Sequence, residues 1–241
     1  MGLREEGIRQ AKEALDIFGR VGDTVEQADC LITLARLLRL DKQLDAAEEA
    51  ASHAIDLLSE TDNQFLLCHS HRTLGDIYRS KGETGKAIHH FEVALRTASS
   101  FGWHGFLFWI NHSLAWLFLN EGRFDDAQAH VDRAKSHAVD DAYQLGRAMK
   151  LQAEVWYKQH RLEEARSEAL RAVDIFERLG ATTHLEYCRN FLQLIEGKLD
   201  RPVASGQLGS KCKLPQMLRF PAPINFPFQA RGTKIWRRLF R

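Results

Sequence analysis

The segment LGDIYRSKGETGKAIHHFEVA, residues 74–94, puts small side chains at Gly75, Ala87 and Ala94 and a large one at Tyr78. Small residues let two helix backbones approach closely, and a bulky neighbour fills the space that remains between helix pairs. Taken from its leading Leu74, the pattern repeats along the chain. Equivalent anchors are Leu34, Leu114 and Gln152, spaced by 40, 40 and 38 residues. The next position is Ala35, Gly75, Ala115 or Ala153. Thirteen residues past each anchor stands Ala47, Ala87, Ala127 or Ala165, and twenty past it Ala54, Ala94, Ala134 or Ala172. Four past it the side chain is large: Leu38, Tyr78, Phe118, Trp156. Three small-residue columns in register, four times over, indicate an internal repeat.

Both halves of each unit show the 3.6-residue apolar period of an amphipathic helix. Turn signals separate them at Asp41-Lys42, Lys81-Gly82, Glu121-Gly122 and Gln159-His160. Two half-units flank the four full ones. Gly7, Ala11, Ala14, Ile17 and Phe18 match the spacing of Ala165, Ala169, Ala172, Ile175 and Phe176, so residues 3–20 read as a second helix lacking its partner. Thr183–Glu196 reads as a first helix without a second. The prediction is ten helices, near 3–20, 24–40, 44–60, 63–81, 84–100, 104–121, 124–138, 141–159, 162–179 and 183–197. Asp23-x-x-Glu26 and Thr183-x-x-Glu186 are expected to cap two of them. Nothing in 1–197 alternates with the period of a strand.

Leu74-Gly75-x-x-Tyr78-x-x-x-Gly82, followed by Ala87-x-x-x-Phe91-x-x-Ala94, resembles the tetratricopeptide repeat (TPR). The third unit follows it at Leu114-Ala115, Gly122 and Ala127. The fourth departs, with Gln152 in the leucine column and His160 in the glycine column. The period exceeds the ~34 residues of the standard repeat. Longer units of this kind are similar to those of kinesin light chains and of fungal NACHT/NB-ARC (STAND) sensor regions. The resemblance covers residues 3–197. It implies an all-α, right-handed αα-superhelix whose first helices line a concave surface, and a protein–protein interaction scaffold or adaptor as its function. The alternative is the detached sensor region of a STAND-type signalling ATPase.

In the family the groove-facing positions lie at offsets −5, −2, +2, +5 and +6 from the anchor. Carried over, these supply Arg36 and Arg39 from the first unit, with Asp29. The second gives Arg72 and Arg79, with Asp76. The third gives Trp109, His112 and Trp116. The fourth gives Arg147, Lys150, Tyr157 and Lys158, with Glu154. All twenty such positions hold seven Lys or Arg against three acids, a net of +4. The expected ligand is an acidic, partly apolar protein segment, arginines meeting its carboxylates and tryptophans offering anchor area. Ile32 and Arg36 stand where a chaperone-tail clamp needs Lys and Asn, so that ligand is not expected.

Charge divides the chain. Of its 241 residues, 198–241 hold ten Lys or Arg, one acid (Asp200) and all five prolines. That segment is +9, and since the whole is +1, residues 1–197 carry −8. The expected organisation is a repeat domain, 1–197, and a basic, disordered tail, 198–241. The tail is where any contact with anionic membrane or nucleic acid is expected; neither is expected as a principal partner. A stripe of Ile8, Leu15 and Phe18, left open by the missing first helix, suggests end-to-end self-association, because solenoids need polar caps.

Other motifs dissolve on inspection. Gly82-Glu83-Thr84-Gly85-Lys86-Ala87 lacks the first Gly and the Ser/Thr of a phosphate loop. Cys68-His69-Ser70-His71 and His89-His90 lack metal-ligand spacing. Four scattered cysteines, no apolar leader and no span of ~20 apolar residues point to a cytoplasmic protein. No catalytic constellation, metal or cofactor is expected.

Overall fold

A computed structural model describes residues 2–138 and 140–200. Among these residues every regular element is an α-helix: α1 Gly2–Val21, α2 Thr24–Leu40, α3 Leu44–Leu58, α4 Gln64–Lys81, α5 Thr84–Phe101, α6 His104–Asn120, α7 Phe124–His137, α8 Ala142–Lys158, α9 Leu162–Arg178 and α10 Thr182–Leu199. The helices stack in chain order, each packing on the next, as nearest-neighbour repeats do. Along the stack α2 also touches α4, α4 touches α6, and α6 touches α8. The first helices of the units therefore form a continuous inner row. The expected disordered tail falls almost wholly outside the described residues. Only its first residues are described, and there α10 runs on to Leu199, past Gly197, where periodicity was expected to stop.

The small-residue columns are the contact points. Ala35, Ala115 and Ala153, Ala47, Ala87, Ala127 and Ala165, and Ala54, Ala94, Ala134 and Ala172 are all fully or almost fully buried. At Gly75 a Cβ would lie 2.7 Å from the ring of Phe91, which is why this unit takes glycine opposite a phenylalanine. Ala87→Leu or Ala127→Leu should overpack the hairpin crossings and cost roughly 1–3 kcal/mol each. Urea unfolding measures this, and neutrality at both sites would contradict the pairing of α4 with α5 and of α6 with α7.

The departures in the fourth unit are accommodated locally. Gln152, 1% exposed, occupies the leucine column and exchanges amide hydrogen bonds with Gln128 of α7, whose Nε2 donates to Gln152 Oε1 at 2.7 Å. A buried amide is tolerable only when so paired. Eight residues past every anchor the backbone is left-handed: Lys42 (φ 64°), Gly82 (79°), Gly122 (78°) and His160 (63°). In all four, the next residue's N–H reaches the carbonyl of the large residue, as in Glu83 to Tyr78 and Arg161 to Trp156. This closes each first helix in a Schellman-type turn. Lys42 and His160 adopt a conformation that glycine would adopt without strain.

Two expectations are corrected. Asp23 caps α2 by accepting from the Glu26 N–H at 3.1 Å, but α10 begins at Thr182 after Ala181, with no side-chain cap from Thr183. Asn63 and Asp141 cap α4 and α8 instead. The stripe on α1 is also less open than expected, because Ile8 and Leu15 are partly buried against the core that includes α2. The large apolar side chains that α1 exposes are Ile17 and Val21.

Candidate functional site

The inner row of α2, α4, α6 and α8 brings the predicted groove residues together, but they do not form an open set. Asp76 of α4 sits among the arginines. Its Oδ2 accepts from Arg72 Nη1 at 3.1 Å and its Oδ1 from Arg79 Nη2 at 3.0 Å. Burial alone would raise its carboxyl; Arg79, Arg39 and Arg72 outweigh burial and hold it below the usual carboxylate range. Arg72 is buried, with its guanidinium 5.9 Å from the Phe106 ring centroid. Arg72 and Arg79 are therefore partly neutralised from within. On α2, Arg36 acts on Asp29, whose carboxyl burial raises against the arginine's pull.

The aromatic residues are bridged by cations from neighbouring helices. The guanidinium of Arg147 lies 4.6 Å from the ring centroid of Trp109, and that of Arg79 lies 5.3 Å from that of Trp116. Such stacking binds α8 to α6 and α6 to α4. It corrects the reading of Trp109 as open anchor area, since the indole is 7% exposed and covered by α8. Trp116 is half-buried. Tyr157 is core, packed edge-on against Phe191 of α10 at 5.3 Å, rather than groove.

Lys150, 1% exposed, is corrected in the same way. Its Nζ lies 3.9 Å from Glu154 Oε1, and Glu154 also accepts the Tyr187 hydroxyl at 2.8 Å. Burial pulls the lysine down to about 8, Glu154 opposing, and raises the glutamate, Lys150 opposing. The partner Tyr187 comes from α10, beyond the four units whose offsets supply the expected groove residues. The signal was available: forty residues past Gln152 stands Leu192, and offset −5 from it is Tyr187.

Two arginines have no salt bridge, although both feel the charge of Asp76 at longer range. Among the described residues neither Arg39 nor Arg147 has a carboxylate within salt-bridge distance, and the Nε–H of each has no acceptor. His112 lies in the same row, buried, its Nε2 likewise without a partner. Other histidines are structural. His71 and His90 approach at 3.0 Å between α4 and α5, and at the equivalent positions of the next unit His130 bonds Asn111 at 2.8 Å. Among the described residues no group of three or more metal-ligating side chains comes together, and no helix is long and apolar enough to cross a membrane.

No family model matches the sequence, and no curated protein is similar to it at a significant level. Solved structures do match. BtubC (BKLC) from P. vanneervenii superimposes with a TM-score of 0.63 at 16% identity, over 88% of this chain and 98% of that one. The Podosopora anserina putative kinesin light chain with nearly identical TPR-like repeats gives 0.61 at 14% identity, over 75% and 90%. A Rap protein complexed with competence and sporulation factor gives 0.60 at 16% identity, over 82% of this chain but 60% of the Rap chain. The chain thus has the TPR-like αα-superhelical fold that its repeat columns predict.

Proposed function

We propose that the protein is an interaction scaffold whose inner groove holds an acidic, partly apolar segment of a partner protein. The observation that carries this is the pair of arginines without a salt bridge of their own, Arg39 and Arg147, at two places along one row, in a groove of net +4 on a repeat region of net −8. A cationic groove on an anionic body concentrates field where a complementary segment can bind and repels that segment elsewhere. The half-buried Trp116 and Phe106 supply apolar contact beside the charges. A similar superhelix, that of the Rap protein, was captured in complex with competence and sporulation factor, which supports a TPR-like superhelix as a binding platform.

Substituting Arg72 or Arg79 would disturb Asp76 and confuse folding with binding, whereas Arg39 and Arg147 have no ion pair to lose. Random peptides displayed on phage and selected on the full chain should enrich sequences rich in Asp and Glu with a large apolar residue. Arg39→Gln with Arg147→Gln should weaken a selected peptide at least about tenfold, some 1.4 kcal/mol, in a chain that still melts cooperatively, if at a lower temperature because the Arg147–Trp109 stack is lost. Wild-type affinity should also fall with added salt. Enrichment of neutral or basic peptides, or affinity indifferent to both salt and the double substitution, would overturn the proposal.

A further inference from the structure

The middle of the groove holds a buried group that charge attraction alone leaves unused. His112 of α6 lies among the side chains of three other helices. Arg79 acts on it from α4, Arg147 and Lys150 from α8, and His184 from α10. The rings of Phe108 and Trp109, on the same helix, lie 5.8 and 6.2 Å away between centroids. Its Nε2 is buried without a hydrogen-bond partner, and so are the Nε–H groups of Arg79 and Arg147. These three buried, unpartnered nitrogens sit on three successive inner helices, Arg147 against Trp109 beside His112 and Arg79 against Trp116 one turn along α6, so an anion brought there would meet polar valences that the chain leaves unused. Asp76, the carboxylate nearest in function, is already held by Arg72 and Arg79 and acts on Arg147 only at longer range.

Resting on the acidic-segment reading above, we propose that Arg79, His112 and Arg147 seat one carboxylate of the bound segment, and that seating it draws one proton from solvent onto His112. A carboxylate offers two oxygens and about four lone-pair sites, enough for three nitrogen donors. In the free protein burial, reinforced by Arg147, Lys150 and Arg79, holds the imidazole well below its ordinary range, so it is neutral at pH 7. An anion against Nε2 reverses the local field and favours the imidazolium. The charges balance, because the carboxylate brings one negative charge and the proton taken from buffer one positive. The bound state then holds more protons than the free state, so affinity rises as pH falls.

The test uses the full chain and a synthetic peptide of Asp and Glu with one tryptophan, together with versions in which a single Glu is replaced by Gln or by phosphoserine. Calorimetry at pH 7 in phosphate and in Tris, whose ionisation enthalpies differ, reads proton uptake directly. The expected result is uptake approaching one proton and an affinity gain approaching tenfold per unit of falling pH between 8 and 6. One Glu→Gln position abolishes the uptake. His112→Gln, which can still donate but cannot titrate, should flatten the pH profile while the peptide still binds. Should that variant melt early, the ring nitrogens of His112 in the wild type can be followed by NMR, where peptide must shift them to the imidazolium pattern. Tight binding with no proton uptake overturns this assignment and leaves the groove reading standing. An unchanged pH slope in His112→Gln also overturns it, and so does uptake with the phosphoserine peptide alone. Absence of any binding overturns both.

Discussion

Asp76→Ala should destabilise the repeat region by about 3 kcal/mol at neutral pH, at the lower end of the ~3–5 kcal/mol expected when one partner of a buried ion pair is removed. The reason is the number of cations that one carboxylate serves. Arg72 and Arg79 bond it directly, and Arg39 and Arg36 feel its charge. Without it four guanidinium groups face one another across α2 and α4 with Asp29 as the nearest acid among the groove positions. The pH dependence identifies the mechanism. A carboxyl whose folded-state pKa is held below its unfolded value of 3.8 binds fewer protons in the folded state, so the stability it contributes is present above that value and lost as pH falls through the folded one. The gap between wild type and variant should be full at pH 7 and narrow below pH 4. Urea unfolding of both proteins at several pH values checks this, and a gap that stays constant with pH would show that Asp76 acts through packing alone.

The same substitution should move binding in the opposite direction. Removing the internal anion raises the groove's net charge from +4 to +5, so an acidic peptide should associate faster and with a steeper salt dependence. A variant less stable yet a better binder is what a strained cationic groove implies. A groove whose charges merely sit in water would show neither effect.

How much of this was legible in the sequence depends on what each residue's role requires. The small columns at Ala47, Ala87, Ala127 and Ala165 were legible because the closest approach of two helices tolerates nothing larger, whatever the rest of the chain does. The left-handed positions after each first helix were legible as turns for a similar local reason, although Lys42 and His160 conceal them behind side chains that strain there. The groove was legible as a set of faces, since helical offsets fix direction. They do not fix cover. Whether Trp109 or Lys150 meets solvent depends on the distance to the next inner helix and on what that helix presents, here Arg147 and Tyr187. The role of α10 is hidden in the sequence because a helix without a partner reads as an end, whereas its Tyr187 covers Lys150 and Glu154 of α8.

The pair buried behind that wall gives the second large effect. Lys150 and Glu154 are both almost fully buried, and at 3.9 Å their attraction is weaker than that of a hydrogen-bonded ion pair, so desolvation dominates both. Each is pushed towards its neutral form, the lysine to about 8 and the glutamate upward. The lysine, with its folded pKa below the unfolded 10.5, is least favourable when protonated, so its penalty is relieved as pH rises from 8 towards 10.5. The glutamate, raised above 4.5, contributes stability below that value and loses it as pH rises through its folded pKa. At pH 7 both therefore work against folding, and their mutual attraction, the Tyr187 hydroxyl on Glu154 and the Tyr187 ring beneath Lys150 oppose this. Glu154→Gln alone keeps an acceptor for Tyr187 but leaves the ammonium without its carboxylate; Lys150→Met alone leaves the carboxylate without its cation. Each should cost about 2–4 kcal/mol. Combined, Lys150→Met with Glu154→Gln leaves no buried charge in the pair, and should return to within about 1 kcal/mol of the wild type. The coupling energy from this double-mutant cycle, read by urea unfolding at pH 7, should thus be large and favourable. Simple addition of the two losses would mean that Lys150 and Glu154 are held separately, by different partners, and that their 3.9 Å approach along α8 carries no coupling.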